Sequence, residues 1–210
     1  MTVIDSAVER SADPQVARNA LERIFAAHAS IADEIVATPE WLGALVAVVS
    51  ASRSLTMVLE RDEGALEALQ STVPANYDPA LGLHRWKQRE MVRIAARDLT
   101  GIASLRDVGR ELTELATRCL AEALKQAEAT VPIAIIGMGK LGGGELNYSS
   151  DVDVLFVHEG DGELEHAEQV ARTVLRIMST PGADGILFRT DAALRPEGRA
   201  GAMSRTVEAY

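Results

Sequence analysis

PIAIIGMGKLGGGELNYSSDVDVLFVHE, residues 132–159, carries the pattern that decides the fold of this chain. An apolar run over 133–138 enters a glycine-rich turn. A short polar stretch then leads into Asp151-Val152-Asp153-Val154, at the head of a second apolar run. Alternate side chains of an extended strand share a face. Asp151 and Asp153 are therefore expected to project together, with Val152 and Val154 turned into a core. Two carboxylates held side by side repel each other unless a cation lies between them. Hard oxygen ligands beside a phosphate-sized glycine turn point to Mg2+ holding a nucleotide phosphate.

The same stretch contains Gly137-Met138-Gly139-Lys140-Leu141-Gly142, which matches the dinucleotide fingerprint, with Glu159 near the position of its ribose-binding acid. The spacing argues against that reading. Between Gly142 and Val152 there is room for roughly two helical turns, and Tyr148-Ser149-Ser150 takes up part of it. A parallel crossover needs a longer helix to return across the sheet. No G-x-x-x-x-G-K-[ST] occurs, which excludes a P-loop.

Around the aspartates, Gly139, Lys140, Gly142 and Gly143 are expected to form a phosphate-binding turn. Glycines permit close backbone approach, and the lysine adds charge. The plainer reading is a tight strand-to-helix connection. Ser149 and Ser150 are placed to touch a phosphate or the metal shell, but turns favour serine in any case. For Asp151 and Asp153 the plainer reading is a solvated strand edge. Arg85, Arg89, Arg93 and Arg97 recur every four residues, as a basic stripe that either reaches an acidic ligand or is simply a solvated helix face. The four histidines show no metal-ligand spacing, and no Ser-His-Asp or Cys-His arrangement is evident.

Outward from this stretch, residues 14–128 read mostly as helix. Val16, Ala20, Leu21, Ile24 and Phe25 recur at helical spacing, as do Ile31 and Ile35, then Leu42, Leu45, Val46 and Val49. Pro39 suits the first turn of a helix. Residues 71–82 form a turn-rich connection, followed by a helix from about His84 to Leu99. Ser104 opens another with Asp107 in a capping box, and Leu105, Val108, Leu112, Leu115, Cys119 and Ala123 form its buried stripe. After Thr130 the periods shorten. Strands are expected over 133–138, 152–157 and 185–191, with a helix over 163–178. The fold class expected is therefore α+β: a helical N-terminal region, then a small mixed sheet.

Composition bounds the function. Apolar residues make up 47% of the 210, enough for a globular core. The formal net charge of −10 counts against nucleic acid as a partner. A single cysteine allows no internal disulfide and suits a reducing cytoplasm. The longest apolar stretch, LGALVAVV, is too short to cross a bilayer, so no membrane association is expected.

The motif Met138-Gly139-Lys140, then residues 141–150, then Asp151-Val152-Asp153-Val154 resembles the nucleotidyltransferase pattern of the DNA polymerase beta-like superfamily, with Lys140 where Ser or Gly is usual. The run GMGKLGGGELNYSSDVDVLF is closely similar to one family in it, the bifunctional glutamine synthetase adenylyltransferase/adenylyl-removing enzymes. REMVRIAARDLTG (89–101) and FRTDAALRPEGRAG (188–201) extend the resemblance. It implies a helical lead-in, 1–82, and a nucleotidyltransferase domain with its leading helices, 83–210, incomplete at the C-terminus. It also implies Asp191 as a third catalytic and metal-binding carboxylate beside Asp151 and Asp153, and Arg195 as a phosphate contact, with Arg199 in the same loop. Ala193 stands where the family usually has Arg. The cofactors implied are Mg2+, a nucleotide (ATP or ADP) and phosphate. The partners implied are glutamine synthetase and, in the full-length family, a PII-type nitrogen signalling protein. The lead-in and REMVRIAARDLTG look more like the N-terminal, adenylyl-removing half. Residues 204–210 look like the opening of a helix, and the chain reads as a fragment of a longer enzyme. Two other functions stay open: a non-catalytic module binding glutamine synthetase or nucleotide, and an unrelated nucleotidyltransferase.

Overall fold

The computed structural model describes residues 2–160 and 162–209; the side chain of Arg199 lies outside the described residues. The chain forms two compact units, Met1–Val108 and Gly109–Tyr210.

The first unit is helical. Its helices are α1 (Val3–Glu9), α2 (Pro14–Ala27), α3 (Ala29–Ala37), α4 (Pro39–Ala51), α5 (Arg53–Arg61), α6 (Glu63–Ala68) and α7 (Leu83–Leu99). Helix starts follow local chemistry. The Thr2 side chain caps α1 in a capping box with Asp5, Asp13 and Ser52 cap α2 and α5, and Pro14 and Pro39 occupy first-turn positions. Ala17, Ala20, Leu21 and Ile24 form the buried stripe of α2, and Val16, expected within it, is exposed. The α3–α4 pair is the most apolar stretch, but it bends by 112°, and no single described helix is long and apolar enough to cross a membrane.

The arginine stripe of α7 turns inward. Arg93 is 1% exposed and its Nε donates to Glu90, itself 3% exposed, at 3.0 Å; Glu90 also accepts from the Ala75 N–H at 3.0 Å. Arg89 makes a two-pronged bond to Asp62 at 2.7 and 2.6 Å. Arg97 donates to the Thr72 carbonyl at 3.2 Å. These arginines fasten α7 to α6 and to the 71–82 connection, where Tyr77 also meets Trp86 edge-on at 5.6 Å. Arg85, the first of the four, is exposed, so the solvated-face reading fails for Arg89, Arg93 and Arg97 but not for the whole stripe.

The second unit begins within the long helix α8 (Leu105–Gln126), opened by the expected Ser104–Asp107 capping box. Val108, Leu112, Leu115, Cys119 and Ala123 are buried, whereas Leu105, in the first turn, is 86% exposed and drops out of the stripe. Strand β1 (Ile133–Gly137), helix α9 (Gly139–Gly143), strand β2 (Val152–His158), helix α10 (Leu164–Ser179), and strands β3 (Thr190–Asp191) and β4 (Ser204–Thr206) follow.

Among the described residues the sheet is mixed. β2 pairs antiparallel with β1, and parallel with β3 at its start and β4 at its end. Val152, Val154, Phe156 and His158 are buried, on the face covered by the apolar side of α10: Ala167, Val170, Ala171, Val174 and Met178. The other face of β2 presents Asp153, Leu155 and Val157, half-buried. The α+β class is as expected.

Two expectations change. The strand foreseen over 185–191 is reduced to Thr190–Asp191, because the Leu187 and Phe188 N–H groups both donate to the Met178 carbonyl at the end of α10 instead of joining the sheet. Residues 204–206 add a strand, and the helical opening expected over 204–210 is reduced to one 3-10 turn at Val207–Ala209; Ser204 is fully buried and bonds the His158 ring at 2.8 Å.

Candidate active site

The glycine turn sits where β1 hands over to α9. Gly139 has φ +50°, and a Cβ there would lie 3.0 Å from Oδ2 of Asp153. Its lack of a side chain is what lets the turn lie against that carboxylate. A Cβ on Gly142 would come within 2.6 Å of the Gly137 carbonyl oxygen, so this glycine lets α9 fold back on β1. The Met138 N–H donates to the Asp153 carbonyl at 2.8 Å, tying the turn to the head of β2. α9 is only five residues long, and β1 runs antiparallel to β2. Both features exclude the dinucleotide reading, which needs a long crossover helix between parallel strands.

From α9 the chain returns through a loop pinned to α8. Thr113 Oγ1 accepts from the Leu146 N–H at 3.2 Å, and Gly109 leaves room for the Glu145 backbone. The Ser150 hydroxyl accepts from the Asn147 N–H, and the Asn147 side chain accepts from the Ser149 N–H, so this turn is closed locally. The Ser149 hydroxyl has no partner among the described residues. Lys140 is exposed and makes no ion pair among them.

The loop delivers Asp151 and Asp153. Val152 and Val154 are fully buried, as the alternation predicted. Asp153 is the register partner of Asp191 on parallel β3, so the two acids lie on neighbouring strands at one end of the sheet. Asp153 has no hydrogen-bond donor and no ion-pair partner among the described residues. Its carboxyl is pushed above the usual carboxylate range, first by partial burial, then by the like charges of Asp191 and Asp151. Asp191 is oriented by the Ala193 N–H, which donates to its Oδ1 at 2.8 Å. That bond uses only backbone, so it survives alanine at 193.

Asp151 is engaged differently. It is exposed, and its Oδ1 takes an ion pair from Arg189 Nε at 2.8 Å; Arg189 Nη2 also donates to the Ser149 carbonyl at 2.8 Å. The donor set suits a hard divalent cation in type and register. Asp153 has the uncompensated charge that such an ion would relieve. Among the described residues, however, no three acidic, histidine or cysteine side chains are gathered closely enough to enclose an ion. Arg189 was not singled out in the sequence, where it reads only as a strand residue two before Asp191.

Arg195 lies in the loop that follows β3. It is 8% exposed, and its guanidinium donates to the carbonyls of Ala192 at 2.5 Å and Gly201 at 3.2 Å. It holds together the loop between β3 and β4.

A family model described as glutamate-ammonia ligase adenylyltransferase matches residues 18–210. The chain belongs to this family. It is similar to bifunctional glutamine synthetase adenylyltransferase/adenylyl-removing enzymes. One, from Streptomyces avermitilis, is 32% identical over 99% of this chain and 24% of its own length. Another, from Mycolicibacterium smegmatis, is 34% identical over 90% of this chain and 20% of its own. A third, from Nitrosococcus oceani, is 40% identical over 57% of this chain and 15% of its own. The chain thus spans a quarter or less of the curated relatives it matches. Both the glycine turn and all three aspartates of this adenylyltransferase-family chain fall within the matched residues.

Proposed function

We propose that the acidic end of β2 is a nucleotidyl-transfer site that acts on the adenylylated tyrosine of glutamine synthetase. The observation that supports this best is the register pairing of Asp153 with Asp191, against a glycine turn so close that a Cβ at 139 would crowd Asp153 Oδ2 at 3.0 Å. Asp151, Asp153 and Asp191 would hold Mg2+, which supplies charge neutralisation and orientation of the transferring phosphoryl group when bound. The glycine turn lets the backbone approach a phosphate closely, and Lys140 adds a mobile charge beside it. The Ser149 hydroxyl is a further donor, whereas Arg195 acts by holding the 192–201 loop.

In the removal direction, an oxygen of inorganic phosphate attacks the α-phosphorus of the AMP–tyrosine diester. A new P–O bond forms, the bond to the tyrosyl oxygen breaks, and a phosphate proton passes to that oxygen, giving ADP and free tyrosine. In the attachment direction, tyrosine attacks the α-phosphorus of ATP and pyrophosphate leaves. Removal is favoured by the likeness of REMVRIAARDLTG to the N-terminal half of the family. The test is ADP release from adenylylated glutamine synthetase with phosphate and Mg2+, for this chain and for a full-length relative beside it. Activity only as pyrophosphate release from ATP would reverse the direction. Tight binding of glutamine synthetase without either product would make this chain a binding module. That outcome fits the observation that no three ligands are gathered as the site stands.

A further inference from the structure

We propose that Arg189 is a displaceable counter-cation of this site: it neutralises Asp151 while no metal is bound, and its guanidinium passes to a nucleotide phosphate once Asp151 turns to the ion. The inference rests on the metal-dependent reading above. Its basis is the placement of Arg189 at both backbone and side chain. The Arg189 carbonyl accepts from the Val152 N–H at 2.8 Å, so its Cα is locked beside the head of β2, one residue before β3. Its side chain then reaches back over the loop, to Asp151 Oδ1 through Nε and to the Ser149 carbonyl through Nη2, both at 2.8 Å.

The consequence is electrostatic. Asp151 has a guanidinium on it, whereas Asp153 has no ion-pair partner among the described residues and carries the repulsion of both neighbours. A divalent cation drawing on Asp151 and the guanidinium compete for one carboxylate and repel each other. The pair is also weak enough to be displaced: the two side chains are 65% and 55% exposed, and solvated pairs are held lightly. Released from Asp151, Arg189 stays tethered at the edge of the site by its backbone bond. A planar five-donor group there is suited to phosphate oxygens. Arg189 thereby couples the two ligands: metal alone must displace it, and metal with a phosphate gives it a new partner.

The experiment measures Mn2+ binding to the 210-residue chain, alone, with inorganic phosphate and with ADP. The proteins are wild type, Arg189→Gln, Arg189→Lys and Asp153→Asn. The expected result is that Arg189→Gln binds Mn2+ alone about two- to fivefold more tightly, the range set by an exposed ion pair. It should also lose most of the tightening that ADP gives the wild type, with Arg189→Lys between the two. A tightening by inorganic phosphate as large as by ADP would assign the guanidinium to the attacking phosphate instead and overturn the nucleotide assignment. Unchanged or weaker Mn2+ binding in a normally folded Arg189→Gln protein would make Arg189 a mere pin on the 149–151 turn. Should that variant not fold, the Nε–H resonance of Arg189 in the wild type decides: it must shift on adding Mg2+ with ADP, and an unmoved signal overturns the proposal. Wild-type Mn2+ affinity in Asp153→Asn would instead sink the metal site itself, separately from Arg189.

Discussion

Asp153 and Asp191 are register partners on the parallel strands β2 and β3, and among the described residues Asp191, unlike Asp153, has a hydrogen-bond donor in place for its carboxylate, the N–H of Ala193. Asp153 therefore carries the least compensated charge of the site.

Asp153→Asn in a full-length relative's framework should abolish transfer without unfolding the protein. Loss of metal-assisted charge stabilisation costs several kcal/mol of barrier. With tenfold in rate per ~1.4 kcal/mol, ADP release should fall at least about a hundredfold. A folded variant with near-normal ADP release would make the Asp-x-Asp a solvated strand edge.

The same substitution should have the opposite effect on the metal-free protein. The folded-state pKa of Asp153 is raised, so its contribution to stability is greatest below the unfolded value and is lost as pH rises through the folded one. At neutral pH the ionised carboxylate is a liability. Asp153→Asn should melt at the wild-type temperature or slightly above it near pH 7. The difference should close below about pH 4, where the acid is protonated in both states. Melting curves across pH with a chelator present measure this, and a variant clearly less stable at pH 7 would contradict it.

Gly139→Ala and Gly144→Ala form a matched pair. Both glycines have positive φ, +50° and +72°, so each substitution should cost about 1–2 kcal/mol of backbone strain. Only at 139 does the new Cβ meet Asp153 Oδ2, at 3.0 Å; at 144 nothing lies within 4 Å. Stability should drop in both variants, but Mn2+ binding should suffer only in Gly139→Ala. Equal metal affinities would show that the turn does not shape the site.

Glu168 should govern acid sensitivity of β4. Its carboxyl is held below the usual range by the Met203 N–H, then by Arg172 and by the charge of Arg195. A depressed folded pKa means stability present above the unfolded value and lost as pH falls through the folded one. Glu168→Gln keeps an acceptor for Met203 but loses the charge, and should cost about 1 kcal/mol at neutral pH. Amide exchange over 203–206 should rise in this variant at pH 7, and a protection pattern identical to wild type would refute the role.

Arg93→Ala should be the most damaging change in the helical unit. It strands Glu90, 3% exposed, without its guanidinium, and breaking a buried pair by removing one partner costs about 3–5 kcal/mol. Chemical denaturation measures it, and a loss below about 1 kcal/mol would mean that Glu90 finds another donor.

The helices, the capping box at Ser104, the glycine turn and the burial of Val152 and Val154 could be read from the sequence because each depends on a period of a few residues or on one capping group. The same is true of the exclusion of a dinucleotide fold, which needs only the count between Gly142 and Val152. What the sequence alone did not determine depends on where distant backbone bonds go. The strand expected over 185–191 shrank because the Met178 carbonyl takes the Leu187 and Phe188 N–H groups. The C-terminal residues became β4 because the edge of β2 at Phe156–His158 was open to them. The arginine stripe of α7 turned inward because Asp62, Glu90 and the Thr72 carbonyl were there to receive it. The identity of the three acids is local chemistry. That Asp153 pairs with Asp191, while Asp151 goes to Arg189, was decided only when β3 docked beside β2, since pairing across strands fixes contacts between residues that have no spacing in common along the chain.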